Sequence, residues 1–451
     1  MPILTPQQLQ EFPTKLEKLT QKFEDSVIED ICRRIAAAGM ITDTAEYQLL
    51  RMKELGYSND FLEKAVADYT EKSRQEVEWM FFEVAQISDE FYEDLYQHKG
   101  EPFIPWDKNP YMQQWLSAGI AQTNEEMYNF TQSMGFAIRN PDGTTSFKRI
   151  AEAYQDALDL AHTQVATGVF DYNTAIRRAV QTLTDSGLCF VDYASGHKNR
   201  IDVATRRAVL TGIGQMTGKI SEQNAAELET DIVEVTAHAG ARPDHAEWQG
   251  GWYSLSGKSK EYKGLVEITG YGTGAGLKGW NCHHDFYPVI PGYSVPSYTK
   301  EELENIDPDP IEYNGKTLTY YECTQMQRKM ETAMRKTKRQ IIGFKAAGDE
   351  EMFTAKSVKL RLRQEQYKEF SKQAKLLTQN ERTQVYGFDR STASKSSWAA
   401  RKAEKAIDKV GQEGYNRFRK KHNTGEFTGL KEPMQMRHVK SVIKDIISPL
   451  F

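Results

Sequence analysis

AHAGARPDHAEWQGGWYS (residues 237–254) and GYGTGAGLKGWNCHHDFYPVIPG (residues 270–292) separate this chain from a plain succession of helices. The two strings carry His238, His245, Cys282, His283 and His284, a density of ligand-type side chains found nowhere else in the sequence. Glycine and proline punctuate them, so backbone shape and ligand chemistry are specified together. Immediately upstream, DIVEVTAH (231–238) is a short β-branched run that reads as a strand closing at His238. Cys282 and His284 are two apart, so on extended backbone both side chains share a face while His283 takes the other. His245 follows a Gly-Ala-Arg-Pro-Asp turn that can bring its ring back toward this pair. His238, His245, Cys282 and His284 are therefore the candidate ligands of a structural zinc site, which would stabilise a module too small to bury much apolar surface. The alternative is a metal-free, hydrogen-bonded cluster, because the paired Cys-x-x-Cys arms of well-attested zinc modules are absent.

The same window admits a catalytic reading. Asp244, Glu247 or Asp285 beside a three-ligand metal would activate water, and Cys282 with His245 would form a nucleophile pair, giving a metal-dependent hydrolase or nuclease. No His-Glu-x-x-His string is present and no third orienting group is identifiable, so a noncatalytic role is the expectation. Gly274, Gly276 and Gly279 satisfy Gly-x-Gly-x-x-Gly by letter. A dinucleotide loop needs a strand before it and a helix after it, whereas this string runs into extended WNCHHDFYP, so tight turns explain it better.

Outward from the window, a glycine turn and a capped helix begin near residue 190, and PVIPGYSVPS closes the segment near 297. A small α/β module over 190–297 follows. Residues 1–189 read as helices: Thr5-Pro6-Gln7-Gln8 is a capping box, and further starts are expected at Asp43, at Ser58 to Asp60 and at Ser88 to Glu90, with a stop at Gly56. KGEPFIPWDKNP (99–110) breaks this block, and an amphipathic helix is expected from Ser146 through Ile150, Tyr154, Leu158 and His162. Residues 298–320 form a linker with a helix start at Thr299 and a hairpin turn at Asn314-Gly315. From residue 321 to 451 the chain reads as charged helices. The fold class expected is α+β, mainly α: a helical N-terminal half, a small α/β module and a basic helical C-terminal region.

Charge sharpens the division. The chain of 451 residues has a net charge of -5, yet the residues from Tyr321 onward carry 29 Lys and Arg against 15 Asp and Glu. A basic segment thus follows an acidic body, either as solvated helix faces or as a handle for nucleic acid or an acidic partner. Taken alone, that charge also fits a freestanding nucleic-acid-binding protein. No run approaches the roughly 18 apolar residues of a membrane span, and MPILTPQQLQEF lacks a signal-peptide layout, so no membrane partner and a cytoplasmic origin are expected. Four cysteines far apart in sequence do not form a disulfide framework.

Five strings carry a family resemblance: AHTQVATGVFDYNTAIRRAV (161–180), VDYASGHKNRIDVATRRAVLTGIGQ (191–215), TAHAGARPDHAEWQG (236–250), residues 270–292 and TQMQRKMETAMRKTKRQ (324–340). They resemble the minor capsid protein 2 type of tailed-phage minor capsid proteins, related to the Mu F-like head morphogenesis proteins. His238, Arg242, His245, Trp248, Gln249, Gly250, Cys282 and His284 fall at recurrent positions of that pattern, with Arg242, Trp248, Gln249 and Gly250 as fold-motif residues. One departure is Asn281-Cys282-His283-His284, where relatives usually read Asn-Cys-Arg-His. The resemblance implies a structural, nonenzymatic head protein of the virion, present in the host cytoplasm during assembly. Its implied partners are the portal protein, the major capsid or scaffolding protein and packaged double-stranded DNA. Phosphate or acidic-partner contacts would then fall to Lys336, Lys338, Arg339, Arg361, Arg363, Arg401, Lys402, Arg417, Arg419, Lys420 and Lys421, and docking to aromatics among Trp79, Phe81, Phe82, Trp106, Tyr111 and Trp115.

Overall fold

A computed structural model of the chain describes residues 4–39, 44–140, 142–166, 172–191 and 198–405. Four helices open it: α1 (Pro6–Glu11), α2 (Thr14–Gly39), α3 (Thr44–Lys99) and α4 (Pro110–Gln132). The capping box at Thr5 forms, its hydroxyl accepting the Gln8 N–H at 3.2 Å. The helix breaks expected at Gly56, at 58–60 and at 88–90 do not occur, because α3 runs unbroken for 56 residues. One glycine costs a helix only about 1 kcal/mol. The capping residues are used otherwise: the Ser88 hydroxyl donates back to the Val84 carbonyl at 2.9 Å, and Asp89 accepts the Trp106 N–H at 2.8 Å. Asp89 thereby ties the 100–109 loop to α3.

A second departure lies at Ser146, where a helix was expected. β1 (Met134–Arg139) and β2 (Thr145–Arg149) form an antiparallel hairpin, and α5 (Ile150–Ala166) begins only after it. The Asn140 to Thr144 turn makes the hairpin: the Asn140 N–H reaches Thr144 O at 2.8 Å and Asp142 accepts the Thr144 N–H at 2.8 Å. Strand pairing then overrides the helical pattern of FKRI. The side chains of Leu158 and His162 lie outside the described residues. After α6 (Tyr172–Ser186), β3 (Leu188–Val191) pairs with β1 and β4 (Lys198–Arg200) pairs with β3, giving the order β2-β1-β3-β4. The expected division at 189/190 therefore falls inside a strand of a sheet shared by both sides.

α7 (Ile201–Glu227) follows and is buried along most of its length, packing on α2, α4 and β7. The small module comes next: β5 (Ile232–Val235), α8 (Pro243–Ala246), β6 (Trp252–Ser254), α9 (Leu265–Thr269) and β7 (Phe286–Pro288), with β5 central in an antiparallel β6-β5-β7 sheet. Its own core is short of apolar mass: Val233, Val235, Trp248, Tyr253, Leu265, Leu277, Cys282 and Phe286. Polar bonds dock it on the helices, for Ser221 of α7 donates to Phe286 O at 2.7 Å and accepts from Tyr92 of α3 at 3.0 Å.

α10 (Lys300–Glu304) starts at the Thr299 capping box, and β8 (Ile311–Tyr313) and β9 (Lys316–Leu318) meet at Asn314-Gly315, both with positive φ, as read from the sequence. α11 (Tyr320–Ala346) and α12 (Glu350–Gln373) then form a helical pair, and helix resumes over residues 390–405. α11 is no appendage: it packs against α2 and α6 inside the main core. The class is α+β and mainly α, as expected. Among the described residues no helix is long and apolar enough to cross a membrane.

One buried polar network joins the two ends of the described chain. Glu24 of α2, fully buried, accepts from the Leu188 N–H at 2.8 Å, from Arg200 at 3.0 Å and from Arg339 at 2.5 Å. Asp25 accepts from Arg339 at 3.2 Å and from the Tyr386 N–H at 2.7 Å. Asp202 receives Arg200 at 3.1 Å and Arg335 at 3.4 Å. Burial pushes the Asp25 carboxyl up to about 7 against the pull of Arg339, whereas Arg200, Arg335 and Arg339 overcome burial at Asp202 and hold it well below the carboxylate range.

Breaking such a network from one side strands charge in the interior. Arg339→Met is expected to lower unfolding stability by about 3–5 kcal/mol, read from urea denaturation, and a loss under about 1 kcal/mol would show the network to be dispensable. Asp89 supplies a pH test: burial, with Asp107 and Glu93 nearby, raises its carboxyl from 3.8 to about 6. A folded-state value above the unfolded one contributes stability that is complete below about pH 4 and lost as pH rises to about 6. Asp89→Asn should accordingly gain in melting temperature relative to the parent between pH 4 and pH 7, and parallel melting curves would refute the assignment.

Candidate functional site

The sheet β6-β5-β7 brings the two halves of the ligand-rich window together. After β5 the chain turns at Gly240, and Pro243 at the first position of α8 presets the backbone that delivers His245. The next turn returns as an extension of the sheet, where Gly250 N–H bonds to Val235 O at 3.0 Å, and this seats Trp248 and Gln249 beneath the strand. Cys282 and His284 arrive from the other direction, on the extended segment that enters β7. The loop before them is held by close backbone approach: Trp280 N–H bonds to Gly274 O at 2.7 Å, and a Cβ at Gly276 would meet Gly270 O at 2.1 Å. The glycine string is thus a set of tight turns, as its context implied.

His245, Cys282 and His284 converge and are buried at 2%, 8% and 2% exposure. His245 Nδ1 lies 3.4 Å from His284 Nδ1, and Cys282 Sγ lies 3.8 Å and 3.7 Å from these two atoms. Trp248 covers the imidazoles, its ring centroid 4.5 Å from that of His245 and 4.9 Å from that of His284. Burial lowers the affinity of both histidines for a proton, most strongly at His284, and raises the Cys282 thiol against the hydrogen bond from the His284 N–H. A proton-poor pair of imidazoles beside a sulfur is a donor set suited to a borderline-soft cation.

His238 does not complete this set. Its ring stands beside that of His284, centroids 4.5 Å apart, but Nδ1 faces the Ala239 carbonyl at 2.9 Å. Among the described residues, the three-membered group of His245, Cys282 and His284 is the one whose ligand atoms lie within 4.8 Å of one another. Of the four expected ligands the fold brings three together, and His238 lies outside their group. His283 lies outside this group, and among the described residues its buried Nδ1 has no hydrogen-bond partner.

The other residues of the motif act as supports. Gln249 Oε1 accepts the His238 main-chain N–H at 3.0 Å and faces His284 Nε2 at 3.2 Å. Arg242 reaches both His245 Nε2 and the Ala275 carbonyl, which itself faces His245 Nε2 at 2.9 Å. Gly250 has φ of 71°, and a Cβ there would strike Leu303 at 2.6 Å. The carboxylates considered for water activation are engaged elsewhere or exposed. Asp285 is fully buried in an ion pair with Lys278, whose ammonium also donates to Thr217 Oγ1 at 2.6 Å. Asp244 lies on the surface 3.6 Å from Arg242, and Glu247 is exposed. The Lys278 and Asp285 pair went unread in the sequence, where Asp285 was considered only for water activation.

The candidate phosphate contacts separate in the fold. Lys338 and Arg339 are corrected to interior residues: Lys338 donates to Thr383 O at 2.5 Å, and Arg339 belongs to the Glu24 network. Arg363 donates to Ala333 O of α11 at 2.6 Å. Lys336 and Arg361 are partly exposed, paired with Asp185 at 3.2 Å and with Glu404 at 3.1 Å. Arg401 and Lys402 are exposed, whereas Arg417, Arg419, Lys420 and Lys421 lie outside the described residues. Of the docking aromatics, Phe81 is core, Trp106 and Trp115 are half-buried, and Trp79, Phe82 and Tyr111 are exposed.

Comparison with known proteins follows the same residues. The family model for phage minor capsid protein 2 matches residues 4–372, from before α1 to the end of α12. A structural protein of Lactococcus phage LL-H is 26% identical over 192 residues, covering 41% of this chain and 48% of that protein. The chain thus spans about half the length of this curated relative. No solved structure matches.

The buried Lys278 and Asp285 pair yields a test of what holds the site's floor. Lys278→Met should cost about 3–5 kcal/mol by leaving Asp285 uncompensated, while Lys278→Met with Asp285→Leu should recover most of that loss. Equal losses in the single and double variants, measured by denaturant titration, would show that the two charges are not coupled.

Proposed function

Because the chain belongs to the phage minor capsid protein 2 family, we propose that this virion structural protein sits at the portal-proximal side of the phage head and works by docking during head assembly. The single observation that carries the reading is the match over residues 4–372, which includes the helical half, the small module and the α11 and α12 pair. The relative bearing the name structural protein supports the same class. In this reading the chain performs no catalysis. Support comes from the burial of His245, Cys282 and His284 and from the engagement of Asp285 by Lys278.

The docking face is the exposed aromatic surface of α3. Trp79 and Phe82 lie three residues apart, hence on one helix face, and remain 45% and 43% exposed. Trp106 packs beside Phe82 with centroids 5.6 Å apart, and Lys15 stands over the Trp79 ring. Aromatic residues presented on a rigid helix are the usual anchors of protein interfaces. The partner assigned to this face is the portal protein, with the major capsid or scaffolding protein as the surrounding assembly. Packaged DNA is assigned to the C-terminal cations, Arg401 and Lys402 in the described helix and Arg417, Arg419, Lys420 and Lys421 beyond it. Such contacts are independent of base sequence and weaken steeply with salt.

Coexpression with the portal, coat and scaffolding proteins of the same phage tests the proposal. The protein is expected in purified procapsids and on isolated portal rings, and its absence from both would overturn the reading. Trp79→Ser with Phe82→Ser should reduce incorporation at least about tenfold while leaving circular dichroism unchanged. Normal incorporation of that double variant would remove α3 as the docking face.

A further inference from the structure

We propose that Nδ1 of His245, Sγ of Cys282 and Nδ1 of His284 bind one zinc-class ion that staples α8 to the strand entering β7. The argument begins with the spacing of the three donors. Zinc bonded to nitrogen at about 2.0–2.1 Å and to sulfur at about 2.3 Å, in tetrahedral directions, places two nitrogens about 3.3 Å apart and each nitrogen about 3.6 Å from sulfur. The observed separations are 3.4 Å between the nitrogens and 3.7 and 3.8 Å to the sulfur. Three edges of a coordination tetrahedron are therefore present in the side-chain packing.

The hydrogen bonds around the donors bear on the same point, most firmly at His284. A main-chain N–H can only donate, so the bond from His238 N–H fixes the Gln249 side chain with its oxygen inward. That oxygen can only accept, so His284 carries its proton on Nε2 and turns a lone pair on Nδ1 toward the cluster. At His245, Nε2 meets both the Ala275 carbonyl at 2.9 Å and the Arg242 guanidinium, so it either donates to the carbonyl and leaves a lone pair on Nδ1 facing inward, or accepts from Arg242 and carries the proton on Nδ1. In the tautomer that donates to Ala275, two buried lone pairs 3.4 Å apart repel unless a cation or a shared proton lies between them. The Cys282 thiol has one proton and so can serve one of the two nitrogens. An ion bound to a thiolate and two neutral imidazoles satisfies all three, and the His284 N–H directed at Sγ at 3.4 Å supports the thiolate. Outer hydrogen bonds of this kind, from a ligand imidazole to an amide or carbonyl oxygen, are the regular companions of metal-bound histidine.

The ion has a structural task. The β6-β5-β7 module has strands of three or four residues and a small apolar cluster. His245 is 37 residues from Cys282 in sequence, so a shared ion closes a long loop that little apolar burial would otherwise hold.

The experiment uses the full chain, purified without chelator and reloaded with zinc chloride or cobalt(II) chloride. One equivalent of zinc per chain by elemental analysis is expected, together with a higher melting temperature than the chelator-treated protein. The cobalt form should show a thiolate-to-cobalt charge-transfer band and the intense visible bands of a four-coordinate site. Cys282→Ser should abolish the charge-transfer band, whereas His238→Ala and His283→Ala should retain full stoichiometry. Should Cys282→Ser fail to fold, Gln249→Leu removes the acceptor that orients His284 without touching a ligand. It is expected to weaken zinc binding about 10- to 100-fold in chelator competition. No zinc retained by the parent, an unchanged charge-transfer band in Cys282→Ser, or undiminished affinity in Gln249→Leu would each overturn the proposal.

Discussion

The constraint on which the remainder of the fold rests is the burial of Glu24. A carboxylate taken out of water must be matched by donors of fixed geometry, and here they come from Leu188, Arg200 and Arg339. These residues sit on β3, β4 and α11, so a single charge on α2 sets the relative placement of the four-stranded sheet, the start of α7 and the C-terminal helical pair. Asp25 extends the same constraint to the loop at Tyr386, and Asp202 balances Arg200 and Arg335. Three carboxylates and three guanidiniums thus hold together pieces separated by more than 300 residues. Such a network specifies one arrangement, since shifting any helix by a turn leaves an ion unpaired in the interior.

Against that rigid frame the small module is held in a different way. Its strands are short, its apolar cluster is modest, and much of its cohesion comes from polar contacts: Lys278 with Asp285 and Thr217, Ser221 with Phe286, and Gln249 bridging His238 to His284. The convergence of His245, Cys282 and His284 lies at the centre of these contacts and not in an open cleft. This position fits a structural protein.

Much of the candidate site was legible because its signals are local. Cys282 and His284 are two apart, and the alternation of extended backbone places them together whatever the remainder of the chain does. The Thr5 and Thr299 capping boxes, the Asn314-Gly315 hairpin and the turn character of the glycine string are equally local. The failures had a common cause. Ser88 and Asp89 carry helix-start chemistry, but packing and the 100–109 loop recruit them inside α3. Phe147 and Lys148 carry a helical pattern, but pairing with β1 draws them into a strand. Lys338 and Arg339 look like surface cations, and only their distant partners make them interior.

From its sequence alone, then, this chain determines the helix starts at Thr5 and Thr299, its sharp turns, the pairing of cysteine with histidine on one face of extended backbone and its kinship with phage minor capsid proteins. Each of these depends on neighbours within a few residues, or on letters that survive without any knowledge of contacts. What only tertiary structure decides is which ionisable groups are buried, and with whom. Glu24 with Arg339, Lys278 with Asp285, and His245 with the Cys282 and His284 pair all join residues far enough apart that no periodicity links them. The cost of burying a charge or an imidazole depends on the whole surrounding volume, and that volume exists only after the chain has folded.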